Sequence, residues 1–310
     1  MRVLVTGGSG FIASHLIPEL LAAEHGVESL DVRPASVAHE GVLHHQLDFC
    51  EHRLLCERFA DSRPEVVVHL GAIPSIQESI HDAWTSMTSN VTGTQSVLEA
   101  SRRAGVSRVV FASSAAVYGR TSFERNGEAL SEDLPSQPLN PYALAKKIGE
   151  DMLRVWASRD LWQAVDGVAL RFFNVYGPRQ RKDSAYATCI ERFLSQWRQG
   201  DPFTIVPDGH QRRDMVFVGD VVRAIRLAVE SSEPFAGEVL NVGGGRNYSV
   251  LEMAGVIGGA DYPRMLIDPR SGEVRASLAC IDRARERLGW APQVAFPDGI
   301  ARLKVATGES

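Results

Sequence analysis

Thr6-Gly7-Gly8-Ser9-Gly10-Phe11-Ile12-Ala13 is the stretch that decides the fold. It follows the apolar run Val3-Leu4-Val5. It opens a segment, about 10–25, in which Phe11, Ile12, Leu16, Leu20 and Leu21 recur at helical spacing. Strand, glycine turn and helix in that order make the first βα unit of a dinucleotide-binding sheet. Gly7 lets the chain turn tightly. Gly10 lets backbone N–H groups approach a pyrophosphate at the positive helix end, and Ala13 is small enough for close helix–strand packing. Gly7, Gly10, Phe11 and Ile12 are therefore candidate cofactor contacts. Asp31 ends the next apolar run, where a carboxylate binds ribose hydroxyls and repels a 2′-phosphate, which favours NAD over NADP. Arg33 is the opposing signal: a guanidinium for that phosphate, or a solvated loop cation.

The alternation continues along the chain. Apolar runs at 27–31, 42–47, 66–70, 109–111 and 165–171 predict strands. Val66-Val67-Val68-His69-Leu70 reads as a strand covered on both faces. Segments 90–105 and 141–156 have helical character, with Gly105 stopping the first and Pro141 starting the second. This order predicts an α/β fold, a Rossmann-type doubly wound parallel sheet with right-handed crossovers. After Asn174 the rhythm breaks into a helix at 220–230, a strand at 239–242 and a helix at 251–257. Residues 1–173 are expected to form the dinucleotide-binding domain. Residues 174–310 would be mainly a smaller C-terminal substrate-binding lobe, with some segments returning to the first.

Composition narrows the classes. The 310 residues carry a formal net charge of −5, with 44% hydrophobic and 23% charged residues. That is an ordinary soluble balance, with no basic surface for nucleic acid. No apolar run reaches the ~18 residues of a membrane span. Glycines break the N-terminal apolar run before a signal-peptide core can form. Cys50, Cys56, Cys189 and Cys280 have neither metal nor disulfide spacing, so a cytoplasmic setting and no metal are expected.

Chemistry is suggested further along. Tyr142-Ala143-Leu144-Ala145-Lys146 sets a phenol and an ammonium on one helical face. A phenol of pKa ~10 is a weak base at neutral pH. A neighbouring ammonium and the positive nicotinamide ring both favour phenolate. Tyr142 could then take a sugar hydroxyl proton as hydride leaves its carbon, with Lys146 also holding the nicotinamide ribose. Alone, the pair would read as surface residues of an amphipathic helix. Ser113-Ser114-Ala115-Ala116-Val117-Tyr118-Gly119 follows a strand and so lies at the carboxyl edge of the sheet, where ligands bind. Ser114 could relay or polarise the reacting hydroxyl, or simply satisfy its own backbone.

With these residues in place, the chain resembles the extended short-chain dehydrogenases/reductases, and within them the nucleotide-sugar 4-epimerases. The motifs are TGGSGFIASHL, HLGA, NVTGT, SSAAVYG, NPYALAK, RFFNVYGPRQ, RRDMVFVGDV, NVGGG and PRSGEV. The resemblance implies that Asp48 and Phe49 meet the adenine. Leu70, Gly71, Ala72 and Asn90 would wall the dinucleotide, with Phe173 near the nicotinamide. It further implies that Asn174, Arg213 and Arg270 clamp the substrate diphosphate, as suits paired guanidiniums. Related 4,6-dehydratases carry an Asp-Glu pair, and related decarboxylases a Glu, where this chain has Ala115 and Ala116. The acids for elimination are thus absent, which leaves oxidation at C4, rotation of a bound 4-keto sugar and hydride return. Pro74, Ala83, Ser86 and Phe217 depart from residues common in the family, and none touches this chemistry.

The sugar stays open at this stage. Arg181-Lys182-Asp183-Ser184-Ala185-Tyr186 resembles the stretch of UDP-glucuronate 4-epimerases whose arginine meets the sugar carboxylate. Asn174, Lys182 and Ser184 depart from those enzymes, so neutral UDP-hexoses or their N-acetyl forms are the alternative. Another nucleotide-sugar epimerase or 4-ketoreductase on the same scaffold, and a non-catalytic NAD-binding regulatory protein, are the rivals. The resemblance also implies a homodimer, through the helices near 90–105 and 141–156.

Overall fold

The apolar runs become strands because alternate residues are buried on both faces of one sheet. The structure, a computed structural model, describes residues 1–158, 164–180, 189–268 and 275–308. The main strands are β1 (Arg2–Thr6), β2 (Gly26–Asp31), β3 (Leu43–Gln46), β4 (Val66–His69), β5 (Arg108–Ser114) and β6 (Asp166–Phe172). The chain continues through β7 (Asn174–Tyr176), β8 (Phe203–Ile205), β9 (Arg212–Phe217), β10 (Glu238–Val242), β11 (Asn247–Ser249) and β12 (Arg264–Leu266). Seven strands pair in the order β10-β6-β5-β4-β1-β2-β3, every neighbour parallel. The winding reverses between β1 and β4, which opens a crevice at their carboxyl ends.

Leu4, Val67, Val109 and Ala169 face one side of the sheet, packed with Leu55, Phe59, Val97, Leu98 and Leu153. Those partners lie on helices His52–Ser62, Gly93–Ala104 and Pro141–Trp156. Val3, Val5, Val68, Val110 and Leu170 face the other side, with Leu16 and Leu20 of helix Ala13–Ala22 and Val221 and Ile225 of helix Val218–Glu230. Full burial of each such side chain contributes roughly 1.5–3 kcal/mol.

Some elements differ from the sequence reading. The first helix starts at Ala13 rather than Gly10, because the glycine turn occupies the residues before it. The helix expected from Asn90 is preceded by a π-turn, Thr88–Thr92, and runs from Gly93 to Ala104. A Cβ at Gly93 would collide with the Phe49 ring, so only glycine fits this crossing. Gly105 ends that helix at φ +70°, as expected of a left-handed cap. β10 pairs with β6, so a segment beyond Asn174 supplies the last strand of the main sheet. β9 lies between β7 and β11 in a separate three-stranded sheet, and β8 pairs with β12. Among the described residues no helix is long and apolar enough to cross a membrane.

Candidate active site

The glycine turn lies at the crevice between β1 and β4. Gly7 has φ +70°, and a Cβ there would stand 2.7 Å from the Gly71 nitrogen and 2.9 Å from the Leu70 carbonyl carbon. A Cβ on Gly10 would stand 2.9 Å from the Gly7 oxygen, which accepts the Gly10 N–H at 2.9 Å. Bare backbone thus meets bare backbone beside a helix N-terminus, and this cradle fits a pyrophosphate. Phe11 and Ile12 link the turn to the helix, both partly buried.

Asp31, at the end of β2, is 5% exposed and accepts the backbone N–H of Ser9 at 3.0 Å, which ties the turn to the second strand. It also takes the Arg33 N–H at 3.0 Å and the Arg33 Nε at 3.2 Å. Arg33 is therefore not a loose loop cation; the carboxylate holds it.

The wall after β4 is held from beneath. Asn90 accepts the Ile73 N–H at 2.7 Å and donates to the Ile73 carbonyl at 2.9 Å, so its amide positions the loop that contains Gly71 and Ala72. Phe49 is 7% exposed, its ring set edge-on to His69 at 5.5 Å. The ring packs in the core between the sheet and its covering helices. Asp48 stays exposed, accepting the Cys50 N–H at 2.8 Å through Oδ1.

A buried relay lies below, which sequence reasoning missed. Thr94 donates to the Asn90 carbonyl at 2.7 Å, so it accepts from His69 Nε2–H at 3.1 Å. His69 Nδ1 then accepts from the Thr6 hydroxyl at 2.6 Å, and Thr6 accepts the Gly71 N–H at 3.3 Å. Burial holds His69 neutral, with its pKa lowered to about 3. One histidine in an otherwise β-branched strand was the available signal.

Helix Pro141–Trp156 carries the phenol and ammonium. Asn140 caps it, accepting the Ala143 N–H at 2.9 Å, and Pro141 occupies the first turn, which fixes where Tyr142 emerges. Lys146 is 4% exposed. Its Nζ donates to the Ala112 carbonyl of β5 at 2.8 Å and lies 5.9 Å from the Tyr142 ring centroid. Burial lowers Lys146 to about 8, opposed by the Glu150 carboxylate. Burial raises the Tyr142 phenol, while a hydrogen bond with Ser114 pulls it down. Ser114 also accepts the Ala116 N–H at 3.2 Å, so the hydroxyl serves its own turn and the phenol together.

Phe173, between β6 and β7, is 5% exposed and 6.4 Å from the Tyr118 ring. Asn174 on β7 donates to the Asp214 carbonyl of β9 at 2.8 Å, and Arg213 lies on that neighbouring strand, donating to the Arg212 carbonyl at 2.9 Å. Arg181 and Arg270 lie outside the described residues. No cluster of His, Cys, Asp and Glu suited to a metal occurs among the described residues.

A glycine cradle at the switch point of a parallel sheet, with a half-buried tyrosine and a buried lysine at its carboxyl edge, is the arrangement of a dinucleotide-dependent enzyme acting at a hydroxyl-bearing carbon. Residues 3–243 match the NAD-dependent epimerase/dehydratase family; the chain belongs to it, and its cofactor is NAD. A UDP-glucose 4-epimerase of Mycolicibacterium smegmatis is 38% identical over 315 residues, 97% of each chain. The structure of UDP-glucose 4-epimerase from Thermotoga maritima with UDP-glucose matches with a TM-score of 0.89 at 31% identity, covering 99% of both chains. That of UDP-glucuronic acid 4-epimerase from Bacillus cereus, in complex with UDP-glucuronic acid and NAD, matches with a TM-score of 0.86 at 31% identity, also over 99% of both.

Proposed function

We propose that the protein is an NAD-dependent UDP-sugar 4-epimerase in which Tyr142 is the base, Lys146 its electrostatic partner and Ser114 the residue that orients the reacting hydroxyl. The observation that carries this reading is half-buried Tyr142 with buried Lys146 beside Ser114, followed by Ala115 and Ala116 rather than acids.

Gly7, Gly10, Phe11 and Ile12 would receive the pyrophosphate, Asp31 the adenosine ribose, and the Leu70-Gly71-Ala72 backbone the dinucleotide flank. When bound, NAD would supply reversible hydride exchange with the sugar C4. The chain's own residues manage the proton and the pose. Ser114 holds the C4 hydroxyl against the Tyr142 oxygen. Tyr142 takes the hydroxyl proton as the C4–H bond breaks, then gives it back to the carbonyl oxygen once the sugar has turned its other face. Lys146 favours the phenolate through its charge and reaches the nicotinamide ribose. Arg213 and Asn174, with Arg270 assigned by resemblance, would keep the nucleotide diphosphate anchored while the sugar rotates.

Two substrate readings follow. UDP-glucose and UDP-galactose are supported by the 38% identity to a UDP-glucose 4-epimerase. UDP-glucuronate is supported by the Arg181 stretch and by the likeness to the Bacillus cereus enzyme. NMR time courses with UDP-glucose, UDP-N-acetylglucosamine and UDP-glucuronate, run without added cofactor, separate them. A galacto product from a neutral sugar alone selects the first, and from the uronate alone the second. No epimer from any of the three contradicts the assignment.

A further inference from the structure

Glu150 continues the Tyr142–Lys146 face by one more turn and is fully buried. It accepts from Ser113 Oγ at 2.6 Å and, in a bidentate pair, from Arg171 Nε and Nη2, each at 2.8 Å. Ser113 and Arg171 are register partners on β5 and β6, so a single helical side chain clamps two adjoining strands. The residues flanking Ser113 are Ala112, whose carbonyl takes Lys146, and Ser114. Arg171 is fixed in turn, 4.7 Å from the Tyr118 ring centroid and donating to Ser136 Oγ at 3.1 Å. Tyr118 donates to Asn241 on β10 at 2.8 Å.

A buried ion pair adds little net stability over apolar side chains of equal volume. Its directional, bidentate bonds do fix the rotation and height of a helix over a sheet, which apolar contact leaves looser. We propose that Glu150, Ser113 and Arg171 are positioning residues for the reaction: they set the Tyr142–Ser114 spacing and keep a negative charge one turn behind Lys146. Only the kinetic part of this inference rests on the epimerase reading.

The titratable groups set against Lys146 in the described structure are Tyr142 and Glu150 on its own helix and the neutral His69 on β4. Arg171 on β6 faces it through Glu150. Burial lowers Lys146 and Glu150 opposes that, so removing the carboxylate charge should lower it further.

Glu150→Gln keeps the shape but leaves Arg171 buried without its counter-charge. The companion Glu150→Gln/Arg171→Met removes both charges. Each NAD-loaded protein is compared with wild type for NAD content, thermal midpoint, kcat, KM and the pH titration of the Lys146 13Cε resonance. We expect a folded, NAD-loaded double variant with KM little changed, kcat lower by about ten- to a hundredfold, and a Lys146 midpoint displaced to lower pH. Wild-type kcat, or an unmoved Lys146 midpoint, in a folded and NAD-loaded variant overturns the proposal. Should neither variant fold, Ser113→Ala removes one bond without stranding a charge, and wild-type kcat there overturns it equally. A wild-type protein that turns over no UDP-sugar would refute the epimerase reading, while the Lys146 titration still decides this one.

Discussion

Tyr142 and Asp31 are the two single residues on which most depends. Tyr142→Phe removes the phenol oxygen proposed as the proton acceptor, with its bond to Ser114. It should lower turnover by roughly 10²–10⁴-fold while purified protein still carries NAD. Unchanged turnover, followed by NMR, would remove Tyr142 from the mechanism. Asp31 is proposed to exclude a 2′-phosphate, and it holds the Arg33 guanidinium that could welcome one. Asp31→Ala should therefore weaken NAD and release Arg33, raising the NADP-to-NAD affinity ratio by about tenfold or more, equivalent to about 1.4 kcal/mol. Calorimetry on cofactor-free protein would show this, and an unaltered ratio would mean Arg33 has no reach to the ribose. The placement of Tyr142, Lys146, Ser114 and Asp31 was legible in the sequence because each stands at a fixed offset from a strand or turn. Glu150, Arg171 and His69 were not, since their meaning depends on which strands become neighbours. The packing of Phe49 and Asn90 was not legible either. The first fills the space left by two glycines, and the second bonds the Ile73 backbone.

At the scale of elements, the turn after β1 and the end of β9 invite separate tests. Gly7→Ala places a Cβ on a left-handed residue in contact with Gly71. The strain should cost about 1–3 kcal/mol, and the displaced backbone should release NAD. A variant with wild-type melting temperature and full NAD would contradict the close approach. Asp214 on β9 is fully buried, accepts the Ala279 N–H at 2.9 Å, and ties β9 to the Gly243-Gly244-Gly245 loop. Burial raises its carboxyl to about 6, against the pull of backbone N–H groups. An unfolded aspartate titrates near ~3.9. Between those values the folded chain keeps a proton that the unfolded chain has released. The group's contribution to stability therefore falls as pH rises, by about 3 kcal/mol in all. Urea unfolding of wild type and Asp214→Asn should show the wild-type advantage shrinking by that order between about pH 4 and about pH 6.5. A constant difference would mean that Asp214 is ionised throughout. The sequence foretold the strands of the main sheet, since runs such as Val66-Val67-Val68 are covered on both faces. It did not foretell β7, β8, β11 or β12, three residues each, which exist only through their partners. Helix His52–Ser62 buries only Leu55 and Phe59, too sparse an apolar stripe to read in advance.

At the scale of the whole molecule, three exposed apolar side chains share one set of touching helices. Trp84 is 82% exposed, Ile80 59% and Leu144 42%. They lie on helices Ile76–His81, Ala83–Met87 and Pro141–Trp156, which contact one another. Helix Gly93–Ala104 instead turns charge outward, with Glu99 paired to both Arg102 and Arg103. We propose that a homodimer forms through the former face. Light scattering should give twice the chain mass for wild type and the single chain mass for Trp84→Glu; a monomeric wild type would contradict this. The central claim is that one C4 hydrogen leaves the sugar and returns to it inside a closed site. Its most direct test uses the UDP-sugar that the protein turns over, deuterated at C4, with no added cofactor. The epimer is expected to retain its deuterium at C4. Epimer carrying solvent hydrogen there would contradict hydride return and point to proton exchange instead.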